Sequence, residues 1–249
     1  MAFGALIIGD EILSGKRQDK HLAKAIAILG ARGLELAWAE YVGDDPARII
    51  ATLRRTFAST DIVFSFGGIG ATPDDHTRQC AAAAIGQGLA VHPEGLKELA
   101  ARFGADINER RMRMIEFPER SEIVPNPYNR IPGFSVNAHY FLPGFPEMAH
   151  PMMEWVLDAK YAALRPGVRA VEEAIIVRVG ESFLIDIMNA VVRDYPELKL
   201  SSLPQNVEGG YLVEVAVRGD PSRVPHAMAY VRAEVAKLGY AFSDRPSAP

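Results

Sequence analysis

Apolar residues follow two rhythms along this chain. Phe3 to Ile8 and Ile62-Val63-Phe64 are short runs with no polar break. Such runs predict strands buried on both faces. Between them, Leu22, Ile26 and Leu29 fall at i, i+4 and i+7, and Ile49, Ile50, Leu53 and Phe57 repeat the helical spacing. Asp19 can cap the first predicted helix, and Asp45-Pro46 gives the second a cap followed by a first-turn proline. Gly30 and Gly33 close the first helix, and Leu34 to Val42 reads as a strand. Strand, helix, strand, helix, strand predicts an α/β fold: a doubly wound, mostly parallel sheet covered on both faces.

Further on, helices are predicted from Asp75 to Ile85, Glu94 to Phe103 and Asn108 to Ile115, and a short strand from Ser121 to Val124. Asn126 to Phe134 carries three chain-breaking residues and reads as a loop. His139 to Leu142 is a strand, followed by a helix with Met148, Met152, Trp155 and Val156 as its core face. Arg165-Pro166-Gly167 marks a boundary, which gives a first domain of residues 1–165. Residues 166–249 then read β-α-β-β-α, a small α+β module. Its elements are a strand through Ile175 and Val177, a helix from Phe183 to Val192, strands from Lys199 to Leu203 and Tyr211 to Val217, and a helical stripe from Val224 to Leu238. Ser243 to Pro249 reads as a frayed tail.

Composition narrows the classes. The 249 residues are 49% hydrophobic and 23% charged, with net charge −4, which argues against a dedicated nucleic-acid binder. A single cysteine, Cys80, excludes an internal disulfide framework and fits a reducing compartment. The apolar N-terminus has no basic residue before it and meets Asp10 and Glu11 at once, so it reads as a strand rather than a signal peptide. No apolar run approaches the ~18 residues of a membrane span. The expectation is a cytoplasmic protein with neither membrane nor nucleic acid as partner.

Chemistry concentrates after the apolar strands. Phe66-Gly67-Gly68-Ile69-Gly70-Ala71-Thr72-Pro73-Asp74-Asp75 joins a strand to a helix. Glycines let a ligand approach the backbone, and amides at such a turn favour phosphate. Two acids beside a phosphate cradle make sense with a divalent cation between them. A competing reading makes Thr72-Pro73-Asp74-Asp75 a helix start, with Thr72 as cap and Asp75 closing a capping box. That reading leaves Gly67, Gly68, Gly70 and Asp74 unexplained. Asp10 and Glu11 end the first strand. In a doubly wound sheet they face the same crevice as Asp74 and Asp75, which makes these four acids the candidate metal set. Pro143 and Gly144 form a second strand-to-helix turn, read either as further cradle or as an N-cap turn. Among the arginines of the 108–113 helix, Arg111 is the candidate clamp for developing charge. Neither a P-loop nor a zinc spacing of histidines is present.

Taken together, Gly9-Asp10-Glu11-Ile12-Leu13-Ser14-Gly15, Val42-Gly43-Asp44-Asp45, the glycine loop and Leu142-Pro143-Gly144-Phe145-Pro146 resemble, in order and spacing, the MoaB/Mog molybdopterin-binding fold of CinA-type proteins. Asn108, Arg111 and Pro118 match the same subgroup, and the likeness covers about residues 3 to 160. The Gln18-Asp19 variant is similar to the form fused to eukaryotic FAD synthases, and Val179-Gly180-Glu181-Ser182 to the module that follows the CinA core. The resemblance implies one of two activities. One is metal-dependent pyrophosphate cleavage of ADP-ribose or FAD-like nucleotides, with Mg²⁺ or a similar divalent metal. The other is binding or adenylylation of molybdopterin in molybdenum cofactor biosynthesis. A non-catalytic ligand-binding module is the third possibility. In the catalytic case Asp74, Asp75 and Arg111 act on the substrate, and Gly67, Gly68, Gly70, Thr72, Pro143 and Gly144 hold it. A homo-oligomer, dimer or trimer, is implied by analogy. The chain departs from the family pattern at Ala71, where proline is usual, at Asn129-Arg130-Ile131, and at His21, where asparagine is common.

Overall fold

The computed structural model describes residues 1–245. Two compact units divide the chain, Met1–Arg165 and Pro166–Pro249. In the first, the chain runs β1 (Phe3–Ile8), α1 (Asp10–Leu13), α2 (His21–Ala31), β2 (Leu36–Val42), α3 (Pro46–Phe57), β3 (Ile62–Phe66) and α4 (Thr77–Ala84). It continues through β4 (Leu89–Val91), α5 (Pro93–Phe103), α6 (Glu109–Met112), β5 (Glu116–Pro118), β6 (Glu122–Val124), β7 (Gly133–Val136), β8 (His139–Leu142) and α7 (Pro146–Lys160).

Every residue of β1 and of β3 is buried, because each strand is covered on both faces. Phe3, Ala5, Ile7, Ile62, Phe64 and Phe66 join the core under α2 and α7. Leu6, Ile8 and Val63 join the opposite core, with Leu53, Cys80 and Leu99 from α3, α4 and α5. This alternation within an unbroken apolar run is the period-2 signature of a central strand. β2 is covered less completely and lies at the sheet edge. The order is β2-β1-β3-β8-β7-β6, parallel from β2 to β8 and antiparallel beyond. From β1 the chain goes to β2 on one side and then crosses to β3 on the other. The order therefore reverses between β1 and β3, where crevices open outside the strand C-termini.

Several local expectations need correcting. Helix α2 buries His21, Ala25, Ile28 and Leu29, whereas Ile26 is exposed. Its inward face is turned because His21 belongs to the core. Trp155 in α7 is also partly exposed, and Ala149, Met153 and Leu157 complete the buried face instead. The stretch expected as a loop up to Phe134 contains the start of β7, paired with β8 around Asn137 and Ala138, both at positive φ (47° and 58°). Two consecutive residues with φ > 0 are the two-residue turn whose twist suits a hairpin. Ile12 to Gly15 reads in the sequence as a loop or a short turn, and α1 covers its first half, Ile12 and Leu13.

The second unit, described on its own, runs β9 (Val171–Val177), α8 (Ile185–Asp194), β10 (Lys199–Val207), β11 (Gly210–Gly219), α9 (Val224–Lys237) and β12 (Phe242–Asp244). Its sheet order is β10-β11-β9-β12, all antiparallel. Ile175, Val177, Val213, Val215 and Val217 form one core with Val191, Met228 and Val231 of the helices. Ser243 and Asp244, expected in a frayed tail, pair with β9. The rest of that expectation, from Pro246 on, lies outside the described residues. Among the described residues no helix is long and apolar enough to cross a membrane.

Candidate active site

Three loops leave the C-terminal ends of β1, β3 and β8 and meet at a cavity of about 560 Å³. Its lining includes Glu11, Gly67, Gly68, Gly70, Thr72, Asp74, Asp75, Pro143 and Gly144. These are most of the residues that the sequence singles out.

The glycine loop owes its shape to helix α4. Thr77, fully buried, donates its amide to Gly68 O at 3.0 Å and its hydroxyl to Gly67 O at 3.1 Å. A peptide is planar and trans, so its C=O and N–H point opposite ways. Pinning the Gly67 and Gly68 carbonyls to Thr77 therefore turns the Gly68 and Ile69 amides away from α4. Among the described residues, no protein acceptor takes the amides of Gly68, Ile69, Gly70 or Ala71, nor those of Gly144 and Phe145. Left unpaired, these groups favour an anion. The Gly67 amide is different: it donates to Leu142 O at 3.0 Å. Gly67 is therefore the turn, not a ligand donor. Its φ is +102°, and an added Cβ would lie 2.2 Å from Ile8 O. Gly68, with φ +67°, has the Thr77 hydroxyl at the same distance.

The Pro143-Gly144 turn is held in a similar way. His21 is buried, stacks on Phe66 with ring centroids 4.6 Å apart, and places Nε2 3.3 Å from Gly144 O. A carbonyl can only accept, so Nε2 carries the proton. Burial holds the imidazole below its usual pKa, in the neutral form. The wall below is shaped by Asn126, whose Nδ2 donates to Asn129 Oδ1 at 2.8 Å and Ile131 O at 2.9 Å.

Charge is distributed differently from the expectation. Asp75 folds back on Thr72, accepting from its amide at 3.0 Å and from its hydroxyl. That is a capping-box pattern, yet it closes a turn, since α4 begins only at Thr77. Asp10 does not line the cavity. It is locked to Asp44: the Asp10 amide donates to Asp44 Oδ2 at 2.9 Å, and the Asp44 amide to Asp10 Oδ1 at 3.1 Å. Asp44 lines the cavity in its place. Burial raises the Asp44 pKa, the Asp10 amide opposes this, and the charges of Asp10, Glu11 and Asp74 add to the rise. Arg111 lies elsewhere, over the Phe103 ring at 4.0 Å and donating to Asp106 O. The cation lining the cavity is Arg17, 3.9 Å from Glu11. Sequence reasoning passed over Arg17 and Asp44. Asp44 stood inside a quoted motif, but Arg17 carries no local signal.

The acids do not form a protein-enclosed metal centre. Among the described residues no three His, Cys, Asp or Glu stand close enough to hold an ion. A hard cation such as Mg²⁺ nevertheless takes only one or two carboxylates where a substrate's phosphates supply the remaining oxygens. One or two of Glu11, Asp44 and Asp74, beside the free amides, would be enough for that shared mode.

This crossover sheet, with its crevice at the β1/β3 reversal, is that of a molybdopterin-binding fold. Residues 4–163 match the family described as "probable molybdopterin binding domain", and the chain belongs to that family. Its fold is of the CinA type. It is 33% identical over 161 residues to a CinA-like protein of Syntrophotalea carbinolica, covering 61% of this chain and 39% of that one. It is 32% identical over 257 residues to a protein of Aeropyrum pernix, covering 96% of both. The crystal structure of CinA from Thermoplasma acidophilum matches with TM-score 0.57 at 25% identity, over 64% of this chain and 98% of that one.

Proposed function

We propose that the cavity binds the diphosphate of a nucleotide and, with a divalent cation, hydrolyses it, with ADP-ribose or FAD-like compounds as substrates. One observation carries the reading. Four consecutive amides, Gly68 to Ala71, lack a protein acceptor among the described residues and line the same cavity as the acids Glu11, Asp44 and Asp74. Amides suit the phosphates, and the acids suit a cation chelated by those phosphates. When bound, that cation would polarise a phosphoryl oxygen and lower the pKa of a bound water. The protein groups do the rest. The glycine loop orients the diphosphate and Arg17 offsets its charge. Asp44, a cavity-lining carboxylate that accepts from the Asp10 amide, is the group to receive a proton from the attacking water. The test is hydrolysis of ADP-ribose and FAD with Mg²⁺, Mn²⁺, Co²⁺ or Ni²⁺, followed by AMP release. Wild type should release AMP, and Asp44→Asn should be slower by roughly a hundredfold. Intact substrates with every metal would defeat the reading.

The family description favours a second reading, a pterin bound in the same cavity. A cavity of about 560 Å³ is within the range of small-ligand sites. Quenching of molybdopterin fluorescence on adding protein, with AMP transfer from ATP, would support it over hydrolysis.

A further inference from the structure

Arg78, in the first turn of α4, is 3% exposed. It donates from Nη2 to Gly70 O at 2.7 Å, and from Nη1 to Glu116 O at 3.2 Å and to Arg113 O. Its Nε has no partner among the described residues. Among the described residues no carboxylate is in ion-pair contact with it. Glu116 and Asp75 act on it only through longer-range charge, and burial works against its ionised form. A buried charge with no counter-ion is costly. An apolar residue would suit this Ala-rich helix better if packing were all that mattered.

The three carbonyls show what the guanidinium does. Gly70 belongs to the glycine loop, while Met114, between Arg113 and Glu116, lines another wall of the cavity. One planar fork therefore ties two walls together, which an ammonium on a flexible stem cannot reproduce. Holding Gly70 O toward α4 also turns the Ala71 N–H away from it, by the same peptide geometry that Thr77 imposes on Gly68 and Ile69. The positive charge then lies behind the free amides. We propose that Arg78 is a positioning residue of the cradle, orienting its last amide and lending fixed positive charge to a bound diphosphate. The proposal rests on the reading of this cavity as a phosphate site.

Calorimetric titration of the full chain with ADP and excess magnesium tests it, in low and in moderate salt. The proteins compared are wild type, Arg78→Lys, Arg78→Met and, as a folded but destabilised control, Leu53→Ala in α3, a core residue outside the cavity lining. Arg78→Lys keeps the charge and loses the fork, so ADP should bind roughly tenfold more weakly with an unchanged salt dependence. Arg78→Met should lose more than that and show a shallower salt dependence. Leu53→Ala should bind like wild type. The proposal is overturned if both Arg78 variants bind ADP like wild type, or if Leu53→Ala loses as much affinity as they do. Should Arg78→Met fail to fold, the lysine variant and the control decide. Wild type that binds ADP but cleaves no substrate defeats the hydrolase reading and leaves this one standing. Wild type that binds no ADP defeats both.

Discussion

Two glycines that look equivalent in sequence have different jobs. At Gly67 a side chain would meet the Ile8 carbonyl at 2.2 Å, in a backbone conformation with φ +102°. Ile8 cannot yield, since it belongs to the central strand β1. At Gly144 an added Cβ would only touch the Gly67 Cα at 3.5 Å, an ordinary contact. Gly67→Ala should therefore cost stability, at least ~2 kcal/mol from strain and clash together. Gly144→Ala should leave the urea midpoint within error of wild type. Any ADP affinity it loses would then report on the site rather than on folding. Equal midpoints for the two variants would contradict the assignment of Gly67 as the structural turn.

At the level of elements, β8 carries a histidine that sets an acid limit. His139 is fully buried, lies 4.4 Å from the Phe57 ring, and has Nδ1 2.9 Å from Asn137 O. Its Nε2 finds no partner among the described residues. Burial pushes its pKa down to about 4, against the weaker opposing effects of Asn137 and Asp61. The folded state thus binds fewer protons than the unfolded one. The resulting stability is present above pH ~6.5 and is lost as pH falls toward 4. Between pH 7.5 and 4.5 wild type should lose roughly 2 to 3 kcal/mol from this group. His139→Phe should flatten that slope, measured by urea unfolding at both values. An unchanged slope would show that another group sets the acid limit. Much of this element level was legible in sequence. β1 and β3 announced themselves because both faces are buried, and Asp45 caps α3 by accepting from Ala47 and Arg48. The site loops followed from those strands. What stayed hidden has local causes. β7 begins at Gly133 after a proline and turns through Asn137-Ala138, without the glycine that usually marks such a hairpin. Arg111 looked like a clamp, but its helix ends before the cavity. Arg17 turns back on Glu11, six residues earlier, and Arg78 ties Gly70 to Arg113 and Glu116, contacts that no periodicity records.

At the scale of the whole molecule, all of the cavity's parts come from one unit. Every lining residue falls between Ile8 and Met148, inside the unit Met1–Arg165. The family match ends at residue 163, just short of the same boundary. That unit has apolar cores on both faces of its sheet, and the second unit has its own core around Ile175, Val215 and Met228. A domain with its own core can fold alone, and about 165 residues is within the ordinary range. A fragment of residues 1–165 should therefore unfold cooperatively and bind ADP within about threefold of the full chain, since 1.4 kcal/mol would already be tenfold. Calorimetry on the fragment and the full chain side by side checks this. If the fragment folds but loses tenfold or more, the 166–249 module acts on the site, and the cavity's own residues do not account for binding. If affinity is kept, the module's function has to be sought on its own surface.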